Sequence, residues 1–328
     1  MNFQKQIAVA VRDELMSGRY TARNLNHLTS GRVFWVIKTT KTNYANFVKD
    51  HPDYSSGDGV VTVASVYNTV DAAIGACTAA QGDRIYVCEG HTETVTATSV
   101  AHDISGVSVI GLGIGLLRPT FTYGAAAATI TISGANGSWE NCYFIGNFDN
   151  VAAAFTLGAA KDFTLKNCDF IDNTAALHFM SIVVTGATDN DADGLTVAGN
   201  HWDGLALSPD AFISILAAER RVRIEDNDVN MAATNDVGHF LTVAAKVQTD
   251  IRIKRNTCIV VGATGATVGV FMTGSSTTNT GIMSDNYCAS LDATTELFAT
   301  AALGLACFNN RYTGALTAQG YLLPAVDA

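Results

Sequence analysis

One five-residue phrase recurs seven times between residues 138 and 312, and it limits the possible folds more than any other feature. It reads ENCYF at 140–144, KNCDF at 166–170, AGNHW at 198–202, EDNDV at 225–229, KRNTC at 254–258, SDNYC at 284–288 and FNNRY at 308–312. The middle position holds Cys142, Cys168, Asn200, Asn227, Asn256, Asn286 and Asn310, at spacings of 26, 32, 27, 29, 30 and 24 residues. Self-similarity at such a period means stacked supersecondary units, each burying its apolar face only against its neighbours.

Alternation identifies the unit. Before the anchors lie apolar residues two apart, Phe163 and Leu165, Leu195 and Val197, Val222 and Ile224, Ile251 and Ile253, with Thr164, Thr196, Arg223 and Arg252 between them. Period two is a strand period. A second apolar run sits midway between anchors: TITI ending at Ile132, then FTL at 155–157, MSIVV at 180–184, FISIL at 212–216, FLTV at 240–243, VGVFM at 268–272 and LFATA at 297–301. Each unit therefore holds at least two short strands and no helix long enough to cross a sheet. Parallel strands without helical crossovers require a chain that winds each turn onto the one below.

At the anchor, Asn leaves the strand conformation at low cost and its amide can donate and accept along a stack of like residues, while Cys is a small apolar filler. Two residues on, Phe144, Phe170, Trp202, Val229, Cys258, Cys288 and Tyr312 fill the next inward position. On these columns the sequence resembles the right-handed parallel β-helix proteins of the pectin-lyase-like superfamily, over residues 83–312. The resemblance implies an all-β solenoid of roughly nine turns, on the order of 40 Å long at the spacing of β-strands. It names no reaction.

Ahead of the coil, Phe3, Ile7, Val11 and Leu15 fall four apart on one helical face, and VFWVI at 33–37 reads as a strand. TNYANFVKDHPDY reads as a short helix stopped before Pro52, and SSGDG at 55–59 as a boundary turn. Residues 1–57 are thus expected to form a small N-terminal α/β region outside the solenoid. From Ser65, SVYNTVDAAIGACTAA reads as an amphipathic helix with Ser65 as N-cap and Val66, Val70, Ala73 and Cys77 on one face. Within residues 58–82, a linker and capping helix, it would cover the first turn as in many parallel β-helices. Residues 313–328, with Tyr321, Leu322 and Leu323, would close the last turn. The apolar run IAVAV near the start is too short for a signal-peptide core or a membrane span.

Composition bounds the function. Charged residues are 15% of the chain against about 25% in an average domain. Much solenoid surface is therefore expected to be buried against further copies or a partner. The net charge of −10 argues against nucleic acid, which needs a basic stripe. Seven cysteines without a CxxC suggest neither a disulfide framework nor a zinc site, and favour folding in a reducing compartment.

Candidate chemistry is sparse. Asp189, Asp191 and Asp193 before Gly194 match the first half of a calcium loop, although the twelfth position is Asn200 instead of the bidentate Glu. A solvated Asp-rich turn is the competing reading. Asp169, Asp172 and Asp203, with Asp226 and Asp228 one turn later, are the outward carboxylates from which a glycosidase pair would be drawn. Arg221, Arg223, Arg252, Lys254 and Arg255 are the bases open to a lyase. Trp139 and Trp202 read as core, leaving Tyr143 and Tyr287 as outward stacking platforms. The seven histidines show no HxH or HExxH spacing, and GLGIG at 111–115 lacks the third glycine and following helix of a dinucleotide fingerprint.

A weakly charged, acidic, short β-helix with an N-terminal appendage is similar to virion structural proteins of tailed bacteriophages. That resemblance implies a non-enzymatic capsid decoration or other surface appendage. It would be a homotrimer attached to virion proteins such as the major capsid protein through residues 1–57, where Phe3, Ile7, Val11 and Leu15 supply the docking face. It would bind no nucleic acid or membrane and no cofactor beyond the candidate calcium ion. The alternatives are a polysaccharide depolymerase or lyase of the tailspike type, which predicts convergent carboxylates and exposed aromatics, and a glycan-binding module, which predicts the aromatics alone.

Overall fold

The structure, a computed structural model, describes residues 31–37, 65–97, 99–206, 208–232, 238–244, 246–260, 271–274, 278–290, 304–313 and 319–322. They form a parallel β-solenoid of about 8 turns, nearly all β, with very little helix. Its walls are an 11-stranded, a 10-stranded and a 7-stranded sheet, called A, B and C below. One turn shows the plan: Ser138–Glu140 lies in A, Tyr143–Gly146 in B and Phe155–Leu157 in C, and Thr164–Lys166 then returns to A. Successive turns stay in register, with Phe144 on Phe170 and Phe170 on Trp202.

The third strand per turn arises at the anchor. The chain was expected to leave the strand conformation at the anchor itself, but the residue before it does so. Asn141, Asn167, Gly199, Asp226, Arg255, Asp285 and Asn309 have φ of 58°, 54°, 65°, 59°, 55°, 59° and 53°. A left-handed residue turns the chain sharply, so one apolar run becomes a strand of A, a corner and a strand of B. A second left-handed column marks entry into sheet A: Gly82, Gly106, Asn136, Asp162, Gly194, Arg221 and Asp250. Gly, Asn and Asp dominate both columns because they tolerate this conformation best.

The corner between A and B is held by the anchor amides. Asn227 Oδ1 accepts the backbone N–H of Asn200 at 3.0 Å and the Nδ2 of Asn200 at 3.1 Å. Its own Nδ2 donates to the Val197 carbonyl at 3.0 Å and to Asn256 Oδ1 at 2.9 Å. The pattern repeats from Asn256 to Asn286 and from Asn286 to Asn310. Every ladder Asn is buried, so each bond replaces one that water cannot supply. Cys142 and Cys168 head the column, and the Cys168 N–H donates to Asn200 Oδ1 at 3.0 Å.

The interior is filled by the predicted columns. Phe121, Phe144 and Phe170 stack with centroids 5.4 and 4.9 Å apart, and Phe240 lies on Phe271 at 4.7 Å. Trp139 and Trp202 are fully buried, as their register predicts.

At the N-terminal end, two expectations need correction. Val33–Val36 lies within the segment predicted to stand outside the solenoid, yet it pairs in parallel with Arg84–Val87 as a strand of sheet A. The predicted helix at 65 starts later and is shorter. Val66–Tyr67 is extended because it pairs with Trp35 and Val36, so the helix spans only Val70–Gly75. Thr69, not Ser65, caps it, accepting the Ala72 N–H at 3.3 Å. Val70, Ala73 and Cys77 are buried as expected. The helix is tied to the first turn by Glu93, whose Oε2 accepts the Val70 N–H at 3.0 Å and meets His91 Nε2 at 3.1 Å. Phe3, Ile7, Val11, Leu15 and the predicted helix before Pro52 lie outside the described residues. At the other end Gln319–Leu322 folds back antiparallel on Asn310–Thr313 and ends sheet B.

Two outcomes are expected. Asn227→Asp keeps the shape but cannot donate to Val197 or Asn256, so urea unfolding should show a loss of about 3 kcal/mol; a loss below about 1 kcal/mol would remove the ladder from the account. Gly194→Ala, at φ 79° with a Cβ 2.1 Å from Asp162 Oδ1, should cost about 1–2 kcal/mol. Gly75→Ala, with nothing within 4 Å, should be neutral or slightly stabilising in the same assay.

Candidate functional site

The outer face of sheet B carries a group of outward carboxylates around His201. Strand alternation points Asp169, His201 and Asp228 outward on three successive turns, with Asp203 one step along. His201 Nε2 lies 3.0 Å from Asp203, and its Nδ1 3.6 Å from Asp228. Asn230 Nδ2 donates to Asp203 at 3.2 Å. Arg118 reaches over the ring of Tyr143, its guanidinium 5.8 Å from the centroid, and pairs with Asp169. Tyr143 is thus partly covered as a stacking platform, and Tyr287 directs its hydroxyl to Thr313 at 3.2 Å.

Beside this group lies a cleft of about 490 Å³, lined by Ile171, Asp172, Asp203, Gly204, Leu205, Asn230, Met231 and Ala232. Such a volume suits a small ligand or one unit of a polymer. Its walls are apolar at Ile171, Leu205 and Met231 and acidic at Asp172 and Asp203.

The two carboxylates differ in environment. Asp203 is about half exposed. Asp172, expected to point outward, is instead buried on the inward side of its strand, where it accepts N–H bonds from Phe179 at 2.9 Å, Leu205 at 2.7 Å and Ala206 at 3.3 Å. It thereby clamps the long loop after its own strand to the loop of the next turn. Burial pushes its carboxyl up to about 6, against the lowering by these N–H groups and by His178. Glycoside hydrolysis uses one carboxyl of raised pKa beside a second carboxylate, but both oxygens of Asp172 are engaged with backbone.

The other sequence-predicted residues fall elsewhere. Asp189 and Asp193 each accept a backbone N–H from the next turn, of Ala218 at 3.0 Å and Arg220 at 2.8 Å, and Lys246 Nζ lies 3.5 Å from Asp189. Asp191 is partly buried beside them. Among the described residues no group of three or more His, Cys, Asp and Glu is arranged to hold a metal ion. Asp226 stands at the ladder corner, bound by Arg255 at 2.7 and 2.8 Å. Arg252 pairs with Asp250 at 3.1 Å. GLGIG leads into a 3-10 turn at Gly115–Leu117, not a helix, and exposes Ile114 and Leu116.

Sequence reasoning missed Leu205, Asn230 and Met231, which line the cleft. It also missed a second buried ladder at the corner between C and A. There Glu219 N–H donates to Gln248 Oε1 at 3.1 Å, and Gln248 N–H to Asn279 Oδ1 at 2.8 Å. The only signal was a polar residue recurring before sheet A, with no fixed identity.

Asp172 gives a pH signature. Its folded value lies above the unfolded one, so the folded state holds the proton more tightly and ionisation costs stability. The group costs nothing below about pH 4, and the full cost of about 3 kcal/mol is present above about pH 6. The stability difference between wild type and Asp172→Asn should therefore change across pH 4–6; parallel curves would mean that Asp172 does not titrate there.

No protein-family model matches the chain, and no curated protein matches it.

Proposed function

We propose that this chain is a non-enzymatic structural protein of a bacteriophage virion, a capsid decoration or other surface appendage built on a pectin-lyase-like coil. Three copies associate side by side, and residues 1–57, with Phe3, Ile7, Val11 and Leu15, dock on another virion protein such as the major capsid protein. The observation that carries this reading is the outer face of sheet C. Its described strands contain no Asp, Glu, Lys or Arg, and the outward column runs Ala101, Thr131, Thr156, Val184, Ser214, Thr242 and Thr273 in register. Half-exposed Leu216 directly follows one of these strands. A flat, uncharged wall of small side chains packs against another such wall at little desolvation cost. Sheets A and B carry the charges instead, among them Lys166, Arg223 and Lys254 on A and Asp169, Asp203 and Asp228 on B.

Light scattering on the purified chain tests this. A concentration-independent trimer that dissociates in the double variant Thr156→Lys, Ser214→Lys is the expected result. A monomeric wild type would contradict it. Calcium is part of the same reading at Asp189, Asp191 and Asp193, and it requires a melting temperature lowered by chelator in wild type but not in Asp191→Ala.

The cleft at Asp172 and Asp203 favours a second reading, a depolymerase acting on a bacterial polysaccharide. That reading requires saccharide cleavage that Asp203→Asn abolishes without changing the oligomer. A glycan-binding module would retain binding without cleavage.

A further inference from the structure

Four of the seven cysteines stand on adjacent turns as two stacked pairs, Cys142 above Cys168 at the corner and Cys258 above Cys288 in sheet B. The second pair differs from the first in its geometry. Cys258 and Cys288 are direct partners in parallel strands, Thr257–Val260 and Tyr287–Ser290, with Thr257 on Tyr287 and Ile259 on Ala289 on either side. Both side chains point into the core and are fully buried. Neighbouring strands stand about 4.8 Å apart, and disulfides form between residues whose Cα atoms are about 4.4–6.8 Å apart. As in-register partners on parallel strands, the two side chains project to the same side of the sheet, here the core.

From this register and shared burial we propose that Cys258 and Cys288 are a disulfide site, a covalent staple between adjacent turns near the C-terminal end of the coil. The chain folds with both thiols reduced and closes the bond on exposure to a small-molecule disulfide such as oxidised glutathione. One thiolate attacks the reagent and releases one molecule of glutathione; the second then attacks the mixed disulfide and releases another. In balance, two protein thiols become one disulfide and the reagent is reduced to two thiols, with no net proton change. Burial holds the Cys288 thiol well above its usual range, so reaction in the closed core is slow and proceeds through opening of the last turns. The bond would close a loop of about 30 residues in the unfolded chain, enough to raise the unfolding temperature by roughly 5 °C. A coil assembled in a reducing interior would thus stiffen on transfer to an oxidising exterior.

The test equilibrates the full reduced chain with oxidised glutathione at pH 8, in one arm folded and warmed to just below unfolding, and in the other during refolding from urea. Free thiols are alkylated and the linked peptides are identified by mass spectrometry. The expected result is a 258–288 link in at least one arm and a higher unfolding temperature that Cys258→Ala does not gain. Both cysteines alkylated in both arms would overturn the proposal. A dominant link from Cys288 to Cys307, the half-buried thiol of Ala306–Phe308 in sheet A, would overturn it equally.

Discussion

The structure depends on one requirement: a chain that turns a corner inside a stack must still satisfy its buried backbone. At the corner between sheets A and B, each anchor turns its N–H toward the next turn, where a carbonyl would stand in a continuous strand. The Asn amide fills that gap. Its oxygen accepts the neighbour's N–H, and its nitrogen donates to a carbonyl of the preceding turn and to the next amide. An unsatisfied buried N–H costs about 1–3 kcal/mol, so the column makes a sharp corner compatible with a dry core. The left-handed residue before it supplies the bend, and Arg255 accepts that strained conformation while its guanidinium binds Asp226 and Glu225.

That requirement also explains which parts of the fold were legible in the sequence. Asn at five of seven anchors is visible because only a side chain of one length and chemistry completes the bonds. The inward position of Phe144, Phe170 and Trp202 follows from strand alternation, and their burial agrees. The second corner was not legible, because its left-handed column constrains backbone conformation alone and admits Gly, Asn, Asp and Arg. Its ladder of Glu219, Gln248 and Asn279 varies in chemistry for the same reason. The helix start at 65 was misplaced because Val66 and Tyr67 pair with a strand thirty residues earlier, a partner that local pattern cannot announce. The cleft was only half legible: Asp172 and Asp203 stood out as carboxylates, but Leu205, Asn230 and Met231 meet them through stacking across three turns.

The faces of the coil divide the chemistry. The interior is aromatic and aliphatic, sheets A and B carry the charges outward, and sheet C shows water almost nothing but methyl and hydroxyl groups. Such a division suits a rod that meets its own kind along one wall and solvent along the others. The cleft beside Asp172 lies at sheet B, away from the uncharged wall of sheet C. The carboxyl of Asp172 serves first as a clamp on two loops, and any chemistry there would borrow a group the fold already uses.

Hydrogen exchange at the anchor amides tests the central claim most directly. If the amide ladder holds the corner, the backbone N–H groups of Asn200, Asn227 and Asn256 should exchange as slowly as the core strands of sheet B, although each lies at a corner between two strands and in neither of them. Exchange of these three amides as fast as that of exposed turn residues, while the strands beside them stay protected, would show that the ladder is a consequence of the coil and does not support it.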